Sequence, residues 1–317
     1  MISIDDVERA ARTIAGRVHR TPLLRSATLS DRLGAEAHLK AELFQRTGSF
    51  KVRGALNRIA ELTDEERNRG VISISAGNHA QALAWAAREA GLDALIVMWQ
   101  GADALKVAAT RGYGAAIDQE AADPTQSFER LNELIAQTGR TLVHPFNDAA
   151  VIAGQGTVAL EILEAELRPD VVVVPVGGGG LVSGIATAVR ARLPSARVIG
   201  VEPESSPALH EGLKAGRSLP VTPKSAADAL NAPFAGEHCI EICSELGVES
   251  VLVSEDELAE AFRWLYARTK LACELGAAAS PAALLSGKVR VEPGETVVVV
   301  VSGGNVAPKQ AAAILDS

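Results

Sequence analysis

Lys51 is the residue of this chain whose position most strongly suggests covalent or acid–base chemistry. It closes the segment T-G-S-F-K at 47–51, begins a predicted helix and lies in a stretch with little other charge. Most lysines are solvated surface groups. An amine that is partly buried beside an aromatic ring and near a helix N-terminus has a lowered pKa, however. Such an amine can act as a nucleophile or as a base.

A run of four glycines is the second feature that suggests chemistry. Residues 171–184 read V-V-V-V-P-V-G-G-G-G-L-V-S-G, an apolar strand that enters Gly177–Gly180 and then a helix. Glycines cost backbone entropy and give no packing, so the run indicates close approach of the backbone to a ligand. Unpaired N–H groups at a helix N-terminus bind anions, most often phosphate. Together with Lys51, this run is compatible with a Schiff base to a phosphorylated aldehyde.

Two common glycine motifs do not fit this run. The phosphate-binding loop of nucleotide hydrolases requires Gly-Lys-Ser/Thr, and no lysine follows these glycines. The dinucleotide fingerprint G-x-G-x-x-G requires its last glycine where Val182 and Ser183 stand. Glu202 nevertheless ends the next predicted strand, at a distance suited to a ribose. An NAD-dependent oxidoreductase therefore stays an alternative.

Two further polar loops follow predicted strands. The segment S-A-G-N-H at 75–79 follows V-I-S-I, and S-G-G-N at 302–305 follows E-T-V-V-V-V-V. Both could be turns or helix caps without a ligand. As a binding site, the first loop would hold a carboxylate through its N–H groups, the Ser75 hydroxyl and the Asn78 amide, aided by the helix dipole. The hydroxyl of Ser302, at a buried strand end, could meet a heteroaromatic nitrogen.

Composition limits the classes of partner. The 317 residues carry a net charge of −8, with 3% aromatic residues and no long basic run, so nucleic acid is not an expected partner. The acidic N-terminus, M-I-S-I-D-D-V-E-R, does not fit a secretory signal, and no apolar run is long enough for a membrane span. A cytoplasmic protein without a membrane partner is predicted. Cys239, Cys243 and Cys273 are interpreted as buried structural thiols.

Predicted strands alternate with alanine-rich amphipathic helices along most of the chain. The predicted strands are 37–43, 70–74, 94–99, 115–118, 141–143, 171–176, 197–201, 250–253 and 296–301. This alternation predicts an α/β protein with parallel sheets and helices on both faces. In such sheets ligands bind beyond the carboxyl ends of the strands, so the polar loops are expected to supply one site.

Taken in order, these segments resemble the pyridoxal-phosphate-dependent serine/threonine dehydratase and serine racemase family, which has the tryptophan-synthase-β-like fold (PLP fold type II). The resemblance extends from T-P-L-L at 21–24 to S-G-G-N at 302–305. It implies a two-lobed enzyme built from three-layer α/β sandwiches with mostly parallel sheets. Residues 1–69 plus 148–317 would form the large, cofactor-binding domain, and residues 70–147 the small domain with the carboxylate-binding loop. It also implies a homodimer.

The resemblance further implies a role for each loop residue. Lys51 would form the Schiff base with pyridoxal 5′-phosphate, and Phe50 would pack on the cofactor ring. Asn78 would bond the 3′-oxygen, and Ser302 would face the pyridine nitrogen. The phosphate would be held by Gly177, Gly178, Gly179, Gly180 and Leu181, and the substrate carboxylate by Ser75, Asn78 and His79.

The implied reaction is β-elimination by an L-threonine/L-serine dehydratase (ammonia-lyase), which gives a 2-oxo acid and ammonia with Lys51 as the base. A neutral serine opposite the ring nitrogen favours elimination over transamination. Racemases of this branch carry a second serine at the position of Ala76, so a dehydratase is favoured over a serine racemase. A 3-hydroxyaspartate dehydratase and a non-catalytic cofactor-binding protein stay as alternatives.

Some relatives also bind a divalent cation such as Mg²⁺, through a Glu and an Asp that follow one of the strands. Here Glu202 matches the first ligand, and a carbonyl near Ser206 could help, but Ala208 stands where the Asp would be. A complete magnesium site is therefore not expected. Glu202 is interpreted as a structural residue at the end of its strand.

Overall fold

The computed structural model describes residues 1–165 and 167–316. Its strands are β1 (Leu23–Arg25), β2 (Glu36–Ala41), β3 (Val71–Ile74), β4 (Ala94–Trp99), β5 (Ala116–Ala121), β6 (Thr141–Leu142), β7 (Val171–Pro175), β8 (Arg197–Pro203), β9 (Glu249–Val253) and β10 (Thr296–Val301). Its α-helices are α1 (Ile4–Ile14), α2 (Ala27–Leu33), α3 (Lys51–Ala60), α4 (Asp64–Arg69), α5 (Asn78–Glu89), α6 (Ala104–Gly112), α7 (Pro124–Thr138), α8 (Ala149–Leu163), α9 (Gly180–Arg192), α10 (Ala208–Ala215), α11 (Glu237–Glu245), α12 (Glu255–Trp264), α13 (Ala279–Leu285) and α14 (Pro308–Asp316). None of the helices within these described residues is both long and apolar enough to cross a bilayer.

The larger sheet has the strand order β1-β2-β10-β7-β8-β9. Neighbouring strands are parallel except β1, which pairs antiparallel with β2. Every residue of β7 is buried, and so is every residue of β10 after Thr296. Such valine-rich strands require helices on both faces of the sheet, because neither face can contact water.

The smaller sheet has the order β5-β4-β3-β6, with all strands parallel. Its strands come from residues 71–142. Helix α5 packs on one side together with α3, and α7 packs on the other through Leu131 and Leu134. Because α3 also packs against α8, it contacts helices associated with both sheets.

The predicted α/β class with mostly parallel sheets is confirmed. Each predicted strand is present, with bounds that differ by at most three residues from the prediction. The sequence does not predict β1. This strand has three residues at a largely exposed sheet edge, too few to show an alternating pattern.

Helix α8 crosses its neighbours at glycines, which permit close backbone approach. A Cβ atom at Gly154 would lie 2.6 Å from the Cα of Gly54 on α3. A Cβ atom at Gly156 would lie 2.7 Å from the carbonyl oxygen of Gly184 on α9. Two helices that begin at predicted site loops, α3 and α9, are therefore held against one central helix.

A buried ion-pair network fixes the start of α3. The guanidinium of Arg53 donates to Glu42 (2.9 Å) and to Glu161 (2.6 Å). The amine of Lys40 donates to Glu161 (2.6 Å) and to the carbonyl of Thr21 (2.8 Å). Pairing and hydrogen bonding of this kind offset the large cost of removing charged groups from water. The network joins β2, α3 and α8.

The glycine crossing leads to a test of stability. Gly154→Ala is expected to lower the free energy of unfolding by about 1–3 kcal/mol, because the added methyl group meets the backbone of α3. The matched control is Gly112→Ala in α6, where no atom lies within 4 Å of the added Cβ, so stability should be equal or slightly higher. Denaturant unfolding followed by circular dichroism measures both. Parent-like stability of Gly154→Ala would contradict the tight crossing.

Candidate active site

The predicted polar loops lie where strands end or helices begin. We name them the lysine loop (47–51), the asparagine loop (75–79), the glycine loop (177–181) and the serine loop (302–305). The lysine loop leads into α3, and the other three follow β3, β7 and β10. Three of the loops therefore lie beyond the carboxyl ends of parallel strands, where sheets of this kind bind ligands.

The lysine loop and the serine loop are joined by backbone hydrogen bonds. The N–H of Phe50 donates to the carbonyl of Ser302 (3.2 Å), and the N–H of Gly304 donates to the carbonyl of Gly48 (2.9 Å). Ser302 itself is buried at the end of β10. The predicted residues of these two loops therefore belong to one continuous piece of structure.

Asn305 connects the asparagine loop to this pair. Its Nδ2 donates to the carbonyl of Thr47 (2.7 Å) and to Oδ1 of Asn78 (2.8 Å). Thr47 has a left-handed backbone with φ of 59°, which is uncommon for a residue other than glycine. Direct hydrogen bonds thus connect three of the four loops.

The amine of Lys51 is partly buried and forms no ion pair within the described part of the chain. Its Nζ donates to the carbonyl of Pro145 (2.7 Å) and lies 5.3 Å from the centroid of the Phe50 ring. Burial lowers the pKa of Lys51 to about 8, because desolvation disfavours the charged amine. A neutral amine is therefore accessible near physiological pH, as a nucleophile or a base requires.

The glycine loop presents unpaired backbone donors. Among residues 1–165 and 167–316, no hydrogen bond is donated by the backbone N–H groups of 177–181, and α9 begins within this loop. Gly179 has φ of 95°, a conformation that side chains other than glycine's rarely permit. A Cβ atom on Gly179 would also lie 2.7 Å from Cβ of Cys239. Free N–H groups at a helix start fit a phosphate.

The segment His144–Phe146 lies between Lys51 and the glycine loop, and the sequence carries no strong signal for it because H-P-F is typical of a turn. Pro145 supplies the carbonyl that accepts from Lys51, and the Phe146 ring packs against Gly178, where a side chain would not fit. Nδ1 of His144 accepts from the N–H of Asn147 (2.9 Å), and burial lowers the pKa of this imidazole to about 4. The ring is therefore neutral.

The first turn of α5 supplies a second set of free donors. The N–H groups of Asn78 and His79 donate no hydrogen bond to any described residue. The hydroxyl of Ser75 accepts from the N–H of Gly77 (3.2 Å), which leaves its own proton free to donate. Such donors at the positive end of a helix suit a carboxylate.

The ring of His79 forms a hydrogen bond to the protein backbone and does not take part in this set of donors. Its Nε2 lies 3.0 Å from the carbonyl of Val143, and because a carbonyl only accepts, Nε2 must carry the proton. Burial lowers the pKa of His79 to about 3, so the ring is neutral. Only the backbone N–H of His79 is left to meet a carboxylate.

Glu274 belongs to this region, although no sequence pattern predicts it. Its Oε1 accepts from Nδ2 of Asn78 (2.7 Å), and its side chain is buried. The available signal was weak: Glu274 is a lone acidic residue in the apolar run L-A-C-E-L-G-A-A-A. Its partner in the hydrogen bond is nearly two hundred residues away in the chain, which sequence patterns do not reveal.

Glu202 and Ser206 have protein partners of their own. The two carboxylate oxygens of Glu202 accept from the N–H groups of Leu209 (2.7 Å) and His210 (2.8 Å) at the start of α10. The hydroxyl of Ser206 donates to the carbonyl of Leu230 (3.0 Å). Glu202 is thus a buried residue whose two side-chain oxygens cap the start of α10.

The cysteines are buried and unbonded to one another. Burial raises the pKa of the Cys239, Cys243 and Cys273 thiols to about 12, so they are protonated at neutral pH. In the part of the chain that the structure describes, no group of three or more His, Cys, Asp or Glu side chains could hold a metal ion.

The residues present fit pyridoxal phosphate. Among the residues that the structure describes, no carboxylate bonds to the Lys51 amine, and the glycine loop has free N–H groups where a Cβ atom would collide with its neighbours. Phe50 and Ser302 lie beside Lys51 in joined loops. An aldehyde that bears a phosphate requires this combination of groups.

Comparison with known proteins agrees with this fit. Residues 14–303 match the family described as "Pyridoxal-phosphate dependent enzyme". The chain is 43% identical over 307 residues to L-threonine ammonia-lyase of Thermotoga maritima, which covers 96% of this chain and 76% of that protein. It is 40% identical to L-threonine dehydratase catabolic TdcB of Escherichia coli K12, over 96% of this chain and 93% of that one.

Solved structures show the same architecture. Maize serine racemase superimposes with a TM-score of 0.93 at 34% identity, over 98% of this chain and 96% of that one. Serine racemase from Dictyostelium discoideum superimposes with a TM-score of 0.91, also at 34% identity, over 96% and 99%. The implied family is therefore confirmed, and this chain belongs to the pyridoxal-phosphate-dependent enzymes.

Proposed function

We propose that this chain is an L-threonine/L-serine ammonia-lyase, which converts the hydroxy amino acid to a 2-oxo acid and ammonia. The observation that carries the proposal is the partly buried amine of Lys51, held by a backbone carbonyl rather than by a carboxylate. The names of the similar proteins, L-threonine ammonia-lyase and L-threonine dehydratase, support this substrate class.

Pyridoxal phosphate, when bound, supplies an aldehyde that condenses with amines and a ring that accepts electrons from a deprotonated amino acid. Lys51 is the residue proposed to attach it and then to take the proton from Cα. The hydrogen bond to Pro145 orients Nζ, and the lowered pKa keeps much of the amine neutral near pH 8. Both properties suit a general base.

The other loops are proposed to bind and orient. The N–H groups of Gly177, Gly178, Gly179, Gly180 and Leu181 would hold the phosphate, and Phe50 would pack on the ring. Ser302 would offer a neutral hydroxyl to the ring nitrogen, without the negative charge that would keep that nitrogen protonated. Ser75 and the backbone N–H groups of Asn78 and His79 in the first turn of α5 would hold the substrate carboxylate, and the Asn78 side chain would meet the 3′-oxygen.

We further propose that residues 70–147 form the small domain and that the remainder forms the large one. The separate four-stranded sheet within 71–142 supports this division. An ion pair joins Lys106 on α6, in the proposed small domain, to Asp228 in the proposed large domain. Closure of the domains around substrate would exclude water from the site. We also propose a cytoplasmic location, which the composition supports. The family resemblance supports a homodimer.

The racemase alternative is supported by the close superposition on maize serine racemase. It is opposed by Ala76, which has no proton to give to the opposite face of Cα. The oxidoreductase alternative is weaker, because both oxygens of Glu202 are used to cap α10. A complete Mg²⁺ site stays unexpected, since Ala208 carries no ligand atom in its side chain.

Lys51→Ala is expected to lower the rate of 2-oxo acid formation from L-threonine and L-serine by about a thousandfold or more, because the proposed base is removed. It should also remove the absorption band of the lysine-attached cofactor and leave a spectrum like that of free pyridoxal phosphate. Lys214→Ala, which removes an exposed lysine on α10, is the matched control and should retain the parent rate. A coupled assay for 2-oxo acid and an absorption spectrum measure both effects.

Two outcomes would contradict the proposed function. If Lys51→Ala deaminates L-threonine at the parent rate, Lys51 is not the catalytic base. Formation of D-serine from L-serine by the parent at a rate equal to 2-oxo acid formation, detected by chiral chromatography, would favour the racemase.

The rate at which pyridoxal phosphate attaches to the cofactor-free protein should depend on the pKa of Lys51. Only the neutral amine attacks an aldehyde, so the loading rate is expected to rise about tenfold per pH unit below pH 8 and to level off above it. Stopped-flow absorbance measures this rate, and Lys51→Ala gives the background. An inflection near 10.5, the ordinary lysine value, would show that Lys51 is not desolvated.

A further inference from the structure

The orientation of the Asn78 carboxamide is determined by a chain of hydrogen bonds that begins at a backbone carbonyl. The Thr47 carbonyl can only accept, so the atom of Asn305 that faces it must be the Nδ2 nitrogen. The same nitrogen lies 2.8 Å from Asn78, and the Asn78 atom that faces it must therefore be the oxygen. It follows that Nδ2 of Asn78 faces Glu274.

Asn78 thus has one N–H donated to Glu274 and one left over. Its Oδ1 is occupied by Asn305, and its Nδ2 makes a single described hydrogen bond, to Oε1 of Glu274 at 2.7 Å. An amide nitrogen carries two hydrogens, so the second N–H remains for a ligand. This leaves Asn78 a donor rather than an acceptor on its free side.

The glycine at position 303 leaves room for the hydrogen bond between Asn78 and Glu274. The N–H of Glu274 donates to the carbonyl of Gly303 in the serine loop (3.1 Å). A Cβ atom at Gly303 would lie 2.5 Å from Oε1 of Glu274 and 3.2 Å from Nδ2 of Asn78. Any side chain at Gly303 would therefore enter the space between the carboxyl and the amide. This contact is a physical reason for the second residue of S-G-G-N to be glycine.

Glu274 has no cation in hydrogen-bond contact within the described residues, although charged groups on several elements act on it. Lys51 on α3 and Lys106 on α6 favour its ionised form, and Asp228 opposes it. Burial acts in the same direction as Asp228 and raises the pKa of Glu274 to about 7, because it outweighs the hydrogen bond from Asn78 and the charges of the two lysines. The neighbouring thiol of Cys273 is protonated at that pH, because burial raises its pKa to about 12.

We propose that Glu274 is a positioning residue for the reaction: together with Asn305 it holds the Asn78 carboxamide so that its free N–H is presented to the 3′-oxygen of the cofactor. This inference rests on the proposed function. Glu274 acts through Asn78 and takes no proton from substrate. Its carboxyl is protonated below about pH 7 and ionised above, so the charge beside Asn78, and with it the strength of the Asn78 hydrogen bond, changes in that range.

The test compares holoenzymes of the parent, Glu274→Gln and Glu274→Leu. Glutamine keeps an oxygen that can accept from Asn78 but cannot ionise, so the cofactor dissociation constant should stay within about threefold of the parent's. Leucine removes the acceptor, and the dissociation constant should rise about ten- to a hundredfold, as for loss of a hydrogen bond to a charged group. Absorbance titration with pyridoxal phosphate measures both.

A second readout separates positioning from general support of the fold. The visible absorption of the parent holoenzyme, without substrate, should change as pH rises through about 7, and this change should be absent in Glu274→Gln. Glu202→Gln is the matched control, because Glu202 is another buried carboxyl with a raised pKa, about 8, but it caps α10. Its cofactor dissociation constant and the transition near pH 7 should equal those of the parent.

Three outcomes would overturn the inference. These are a parent-like dissociation constant for a folded Glu274→Leu, a transition near pH 7 that persists in Glu274→Gln, and the absence of that transition from the parent. If Glu274→Leu does not fold, Glu274→Gln alone decides through its spectrum. A parent protein that binds no pyridoxal phosphate would refute the proposed function instead, so the two failures are distinguishable.

Discussion

The buried guanidinium of Arg53 bonds to Glu42 and Glu161, and these bonds fix the helix on which the candidate site depends. Lys51 lies two residues before Arg53, so the first turn of α3 cannot shift without breaking paired charges in a low-dielectric interior. One residue further along, α3 also touches α8 at glycines, where no side chain separates the two backbones. Charge pairing and close glycine contact together leave Lys51 little freedom of position.

Around that fixed amine, the site is made largely of backbone groups. The glycine loop and the first turn of α5 leave N–H groups unpaired within the described residues, and Pro145 supplies a carbonyl to Lys51. Unpaired backbone groups in a folded interior are costly, so they indicate where a ligand completes the structure. Burial acts on the side chains in the same region: it lowers the pKa of Lys51 and raises that of Glu274, so both change charge near neutral pH.

The sequence was sufficient for those parts of the site that depend on local composition. The glycine run, the lysine beside Phe50 and the valine-rich strands each have a short-range pattern, and the structure joins the lysine, asparagine and serine loops directly. Glu274 and the carbonyl of Pro145 could not be predicted, because their partners lie far away in the chain. The direction of the His79 ring could not be predicted for the same reason: its partner, the carbonyl of Val143, belongs to another segment.

The central claim, that the Lys51 amine is the point of cofactor attachment, is tested most directly by chemical trapping. The purified protein is loaded with pyridoxal phosphate, reduced with borohydride, digested and mapped by mass spectrometry. If Lys51 is the point of attachment, one modified peptide is expected, with the cofactor on Lys51. Modification of a different lysine such as Lys106, or no modification at all, would contradict it.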